Sequence, residues 1–121
     1  MTLQELYQYI GGDYDAAIRV MRMEKLVDKH IRKLAKNGVV EQLFSAADHM
    51  DAAQMFESAH ALKGICSNLG LLNLAAIADV LSEEYRPGSN RKLSEEEVAQ
   101  KVTELRSLYE KAKEGIRLYE G

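Results

Sequence analysis

In the sequence AHALKGICSNLG, residues 59–70, Lys63 and Gly64 follow His60 by about one helical turn. At about 100° per residue, His60 falls well outside the apolar stripe of this predicted helix, and Gly64 falls nearly opposite the centre of the stripe. The stripe consists of Met55, Ala59, Leu62, Cys66 and Leu69. The spacing therefore predicts an exposed imidazole, with an ammonium group beside it and bare backbone one turn above it.

The glycine in this helix needs an explanation, because a glycine inside a helix costs about 1 kcal/mol relative to alanine. Close packing against a second helix would account for a glycine on the core side, but the helical periodicity places Gly64 on the opposite side. We therefore expect that another molecule approaches His60 closely and that a side chain at position 64 would obstruct it.

Three kinds of chemistry use an exposed histidine. A hydrolytic triad is not indicated, because no G-x-S-x-G motif occurs and Cys66 lies on the apolar stripe, where a free cysteine packs as a small apolar residue. Glu57 and His60 have the Glu-x-x-His spacing of di-iron bundles, but no second copy occurs, so a metal-binding bundle is kept only as an alternative. Neutral imidazole, with a pKa of about 6.5, can instead attack phosphorus. That reaction needs access and a cation, which Lys63 supplies.

The phosphoryl donor and acceptor are expected to be other proteins, because the chain has no nucleotide-binding loop or kinase-like motif. No cofactor and no metal is expected. The contact surface should surround His60 and include Glu57, Ser67 and Asn68. The first helix either contributes to this surface or only covers one end of the protein. Its apolar residues are Leu3, Leu6, Tyr7 and Ile10.

Helix start and stop signals predict an all-α protein, and strand signals are nearly absent. The predicted helices span 2–10, 14–36, 39–48, 51–69, 71–85 and 94–119. Four longer segments joined by short connections predict an antiparallel four-helix bundle, to which 2–10 and 39–48 add short accessory helices. The 121 residues are enough for a single domain spanning 1–121.

The helix predicted over 14–36 places a second histidine, His30, inside its apolar stripe. The stripe consists of Ala16, Val20, Met23, Val27, Ile31 and Leu34. His30 is therefore expected to be a partly buried structural residue. The third histidine, His49, lies in a predicted turn without an obvious partner.

The bulk composition narrows the classes of function. The formal net charge of −3 lacks the basic surplus of a nucleic-acid-binding protein. No apolar run approaches the roughly 18 to 20 residues that span a bilayer, and the N-terminus does not read as a signal peptide. The single cysteine cannot form an internal disulfide, so a cytoplasmic location is expected.

The residues His60-Ala61-Leu62-Lys63-Gly64, followed by Leu69-Gly70, resemble the signature of the histidine-containing phosphotransfer (HPt) domain family of two-component phosphorelays. The resemblance extends to the helical layout of the whole chain. It implies a phosphocarrier without ATPase activity that accepts a phosphoryl group from an aspartate of a response-regulator receiver domain and passes it to another receiver. It also implies receiver domains of a hybrid sensor kinase and a downstream regulator as partners.

The same resemblance assigns His60 as the phosphoacceptor, Lys63 as the charge partner and Gly64 as the residue that provides clearance. Two positions depart from the family pattern. Ile65 replaces a small residue and is expected to affect packing more than transfer, and His30 stands where an aromatic or aliphatic residue is expected. A helical adaptor that carries no phosphate, and the phosphotransfer module of a larger sensor kinase, are the alternatives. Met1 and the chain ends favour a free-standing protein. A monomer is expected, because it suits a transient encounter with a partner.

Overall fold

The computed structural model describes all residues from 1 to 121 and contains seven α-helices and no β-strand. The helices are α1 (Leu3–Ile10), α2 (Tyr14–Met21), α3 (Glu24–Leu34), α4 (Gly38–Asp48), α5 (Ala52–Asn68), α6 (Leu72–Tyr85) and α7 (Glu95–Glu120). The predicted all-α helical bundle is confirmed.

Side chains cap the helices where the sequence predicts starts. Thr2 and Ser94 form complete capping boxes at the starts of α1 and α7. The carboxylates of Asp13 and Asp51 accept hydrogen bonds from backbone N–H groups in the first turns of α2 and α5. Each cap satisfies backbone donors that have no partner inside the helix, which is why these starts are readable from local sequence.

Helices α5 and α6 form a tight hairpin across residues 69–71, and α7 packs against α6. Gly70 makes the turn in the left-handed region, at φ 68°. On the other side of α7, the ring centroids of Tyr109 and of Phe44 in α4 are 6.2 Å apart. Further along, Tyr119 donates a hydrogen bond to Asp28 of α3. Tyr109 also donates a hydrogen bond to the carbonyl of Leu34, at the end of α3. Increasing residue numbers in α7 therefore meet decreasing numbers in α3, so these two helices are antiparallel.

The prediction of one helix over 14–36 is wrong. Arg22 adopts a left-handed conformation, with φ 73°, and separates α2 from α3. Val20 and Met23, predicted to be buried, are 52% and 53% exposed because the break changes the direction of the helix. The two halves pack on different neighbours. The backbone N–H of Asp13 donates to the carbonyl of Gly70 (2.8 Å) next to α5, whereas α3 packs on α7.

The expectation that 39–48 is an accessory helix is also wrong. Helix α4 packs along α5 and against α7 and forms one wall of the bundle. Its buried residues are Val40, Leu43, Phe44 and Ala46. Asn37 and Gly38 lie between the helices predicted over 14–36 and 39–48. They begin α4, because the Asn37 side chain accepts a hydrogen bond from the Val39 N–H at 2.8 Å.

Helix α1 covers one end of the bundle. Leu3, Leu6 and Tyr7 are buried, and the Tyr7 hydroxyl donates a hydrogen bond to the Leu69 carbonyl at 2.7 Å. The three side chains are therefore unavailable to a partner. Of the two roles considered for this helix, the covering role is the one that the structure shows.

Candidate functional site

Helix α5 carries His60 on its outward face. Its predicted core stripe is confirmed, since Met55, Ala59, Leu62 and Cys66 are all buried, whereas His60 is exposed. The amphipathic periodicity of this one helix is thus sufficient to orient the imidazole toward solvent.

The His60 ring is held from one side only. It stacks on Phe56, one turn earlier, with ring centroids 5.6 Å apart and an interplanar angle of 21°. The guanidinium of Arg86 lies over the Phe56 ring at 5.5 Å from its centroid. Among the three histidines, only His49 makes a hydrogen bond through its ring within the chain. Neither ring nitrogen of His60 is therefore engaged in a hydrogen bond within the chain, and Phe56 covers one face of the ring.

Lys63 lies beside His60 and is paired across the α5–α6 hairpin. Its Nζ is 2.8 Å from Oδ1 of Asp79, and the two side chains are 40% and 45% exposed. A pair this open to water holds its geometry weakly. The ammonium group is therefore held by Asp79 in a pair that is open to solvent.

A second ion pair stands one turn further along α6. Arg86 contacts Glu83 through two hydrogen bonds, of 2.6 Å and 3.2 Å. The hydrogen bonds from Arg86 lower the pKa of the Glu83 carboxyl, and the charges of Lys63 and His60 lower it further. Both carboxylates of α6 that face this part of the molecule, Asp79 and Glu83, are thus neutralised by a neighbouring cation.

Gly64 opens onto empty space. It is exposed, and a Cβ atom built at this position would meet no atom of the chain within 4 Å. Close packing against another helix therefore does not account for this glycine. The helix surface at Gly64, one turn above His60, is therefore bare backbone that an incoming group can approach.

The other residues predicted to contact a partner also lie on the outward face of α5. Glu57, Ser67 and Asn68 are all exposed, so together with His60 they form a continuous strip along the helix. Ile65 is half-buried against the core, which agrees with a role in packing. Burial raises the pKa of the Cys66 thiol to about 12, so the thiolate needed for nucleophilic attack does not form near neutral pH.

The remaining histidines have structural surroundings. His30 is partly buried, as predicted. His49, for which the sequence offered no partner, has its Nδ1 atom 2.8 Å from the Ser45 carbonyl oxygen one turn earlier. No group of three or more His, Cys, Asp or Glu side chains is close enough together to hold a metal ion, and the Glu57–His60 spacing therefore recruits no further ligands.

Sequence reasoning missed Asp79, Glu83 and Arg86. Asp79 and Glu83 are four residues apart, which places them on one face of a helix. That spacing alone does not say which neighbour the face meets. Only the α5–α6 hairpin brings the two carboxylates to Lys63 and His60.

The fold and the site define a helical bundle that presents the His60 imidazole at its surface beside a lysine and a glycine. A family model described as the Hpt domain matches residues 20–115 of the chain. The chain therefore belongs to the Hpt domain family, whose members carry phosphoryl groups on histidine in two-component signalling.

Searches of curated proteins and of solved structures found no significant match to the chain. The family match begins within α2, so α1 lies outside it. None of the seven helices combines the length and the apolar character needed to cross a membrane.

Proposed function

We propose that this protein accepts a phosphoryl group on His60 from an aspartyl phosphate of one receiver domain and passes it to an aspartate of another. The observation that carries the proposal is the His60 ring itself. It is exposed on α5, stacked on one side by Phe56 and free of hydrogen bonds within the chain. In a member of the Hpt domain family, that geometry suits in-line attack on a phosphorus atom presented by another protein.

The proposed transfer needs neither ATP nor a cofactor, because each bond that forms replaces one that breaks. The unprotonated ring nitrogen of His60 donates its lone pair to phosphorus. The bond from phosphorus to the aspartyl oxygen breaks, and its electron pair leaves on the carboxylate. The product is a phosphorylated imidazolium, whose N–H proton exchanges with water. In the next step an aspartate oxygen of the second receiver attacks phosphorus, and the electron pair of the phosphorus–nitrogen bond returns to the imidazole.

Lys63 and Gly64 support this step in different ways. The Lys63 ammonium would neutralise phosphoryl oxygens, because a compact cation near a transferring phosphoryl group stabilises the charge that it carries. Gly64 would leave room for the receiver and for the phosphoryl group, which its open surroundings permit.

The proposed partners are receiver domains of a hybrid sensor kinase and of a downstream regulator, with the protein acting as a cytoplasmic monomer. The exposed strip of α5, with Glu57, Ser67 and Asn68, is the proposed contact surface. Helix α1 is left out of this surface, because its residues Leu3, Leu6 and Tyr7 are buried. The single, buried Cys66 supports a reducing compartment.

Incubation with a ³²P-labelled receiver domain tests the proposal. Label should move to this protein as an acid-labile, alkali-stable adduct, and the His60→Gln variant should lose it completely. The His30→Gln variant is the matched control and should be labelled like the parent protein. Label that persists in the His60→Gln variant would show that another residue is the acceptor. A protein that no receiver labels would be a helical adaptor instead.

A further inference from the structure

Lys63 and Arg86 are the cations of the α5–α6 hairpin that lie near His60, and both are held by carboxylates. Lys63 Nζ is 2.8 Å from Asp79, and Arg86 Nη2 is 2.6 Å from Glu83. The unmodified protein thus has no uncommitted positive charge in this hairpin cluster. A dianionic phosphoryl group on His60 must attract a cation that already has an anionic partner.

The two pairs differ in how readily they release the cation. Glu83 holds Arg86 through two hydrogen bonds from its planar guanidinium, a geometry that fixes both groups. Asp79 holds the Lys63 ammonium through one contact only, although the two pairs are similarly exposed to solvent. Lys63 is also one turn from His60 on the same helix. It is therefore the cation that the phosphoryl group and a carboxylate would share.

We propose that Asp79 is a positioning residue that competes with the phosphoryl group for Lys63. This inference rests on the proposed function of His60. In the unmodified protein Asp79 keeps the Lys63 ammonium at the edge of the site. After phosphorylation, Lys63 divides its time between the two anions, so phospho-His60 is less stabilised than an undivided cation would make it. The competition weights the equilibrium toward transfer from His60 to the next receiver.

The expected size of the effect follows from the exposure of the pair. Double-mutant measurements on exposed ion pairs correspond to factors of about two to five in an equilibrium constant. Removal of the Asp79 charge should therefore raise the ratio of phospho-His60 to receiver aspartyl phosphate at equilibrium by about two- to fivefold. The effect should shrink as salt is added, because the charges are exposed to solvent.

The experiment starts from protein phosphorylated chemically with phosphoramidate, in which the His60 nitrogen attacks phosphorus and ammonia leaves. Unphosphorylated receiver domain is then added. The final ratio of phosphohistidine to aspartyl phosphate is measured by ³¹P NMR for the parent protein, Asp79→Asn, Lys63→Ala and the double variant. Glu110→Gln is the matched control, since it removes one exposed carboxylate from α7, a helix that does not carry the site. Thermal unfolding of each variant is recorded in parallel.

The proposal expects a two- to fivefold higher ratio in Asp79→Asn, no change in Glu110→Gln, and little difference between Lys63→Ala and the double variant. An unchanged or lower ratio in Asp79→Asn would overturn it. An equal rise in the Lys63→Ala background would also overturn it, because Asp79 would then act by direct repulsion and not through Lys63. If phospho-His60 forms but transfers its phosphoryl group to no receiver, the proposed function fails, and the inference about Asp79 fails with it.

Discussion

Gly64 and Gly115 are both glycines inside long helices, but their surroundings differ completely. A Cβ atom at Gly115 in α7 would lie 2.6 Å from the Ile10 side chain and 2.9 Å from the Tyr9 ring, both of α1. A Cβ atom at Gly64 in α5 would meet nothing within 4 Å. Gly115 is buried under α1, whereas Gly64 faces solvent.

Both glycines weaken their helices by a similar amount, about 1 kcal/mol relative to alanine. At Gly115 the close approach of α1 offsets that cost, since burial of apolar side chains between the two helices depends on it. At Gly64 no contact within the chain offsets it. A costly residue with no compensation inside the protein therefore points to a second molecule, which for this site is the proposed receiver.

The largest effect is expected for Gly64→Gln. The new side chain would stand above His60 and displace an incoming phosphoryl group, and misplacement of reacting groups by about 1 Å can cost a hundredfold in rate. Phosphotransfer from a labelled receiver should therefore fall by about that factor, while thermal stability should not fall, because glutamine is the better helix former. Normal transfer in this variant would mean that Gly64 has a structural role and that the contrast with Gly115 is misread.

Gly115→Val tests the other half of the comparison. Overpacking a filled interface costs about 1 to 3 kcal/mol, so the free energy of unfolding should fall by that amount in chemical denaturation. Labelling of His60 below the unfolding transition should be unchanged. Gly64→Val is the matched control, because the same substitution at an open position should leave stability the same or slightly higher. Equal destabilisation by the two substitutions would contradict the structural distinction.

Lys63→Ala tests whether the charge of the ammonium group contributes to the rate of transfer, in addition to the open space at Gly64. Loss of the ammonium should slow transfer by about tenfold, which is less than the loss of a donor in a buried site because solvent screens this exposed charge. Circular dichroism and the unfolding midpoint should be close to those of the parent protein, since an exposed ion pair contributes little to stability. Transfer at the parent rate would remove Lys63 from the proposed mechanism.

The smallest expected effect is a gain in stability from Gly64→Ala. Alanine in an open helical position should raise the free energy of unfolding by up to about 1 kcal/mol. Gly115→Ala should bring no such gain, because its methyl group would collide with Ile10 and Tyr9. Urea denaturation of the two variants side by side measures the difference. A gain in stability at both positions would show that α1 shifts easily to accommodate a methyl group at position 115.

Several features of the fold could be read from local sequence. The capping boxes of Thr2 and Ser94 and the caps of Asp13 and Asp51 rest on hydrogen bonds within three residues, so they need no knowledge of the rest of the fold. The break at Arg22 could not be predicted in the same way, because neither proline nor glycine marks it. The break separates α2, which packs against α5, from α3, which packs against α7.

Buried polar contacts between distant residues were equally hidden. Glu84 is 5% exposed and accepts hydrogen bonds from Arg91 and from the backbone of Lys92 and Leu93, which fixes the connection to α7. In the sequence it looks like one more acidic residue on a helix. Its burial follows from how the connection folds back over the end of α6.

The sequence by itself determined that α5 is amphipathic, and through that periodicity it determined the outward direction of His60 and Gly64. It also carried the match to the Hpt domain family. Tertiary structure alone decided that α4 is a wall of the bundle, that α1 covers Gly115 and that Asp79 meets Lys63. The physical reason is the separation along the chain over which each effect acts. Helical periodicity and capping act over a few residues, whereas the partner of a helix face depends on how whole helices pack.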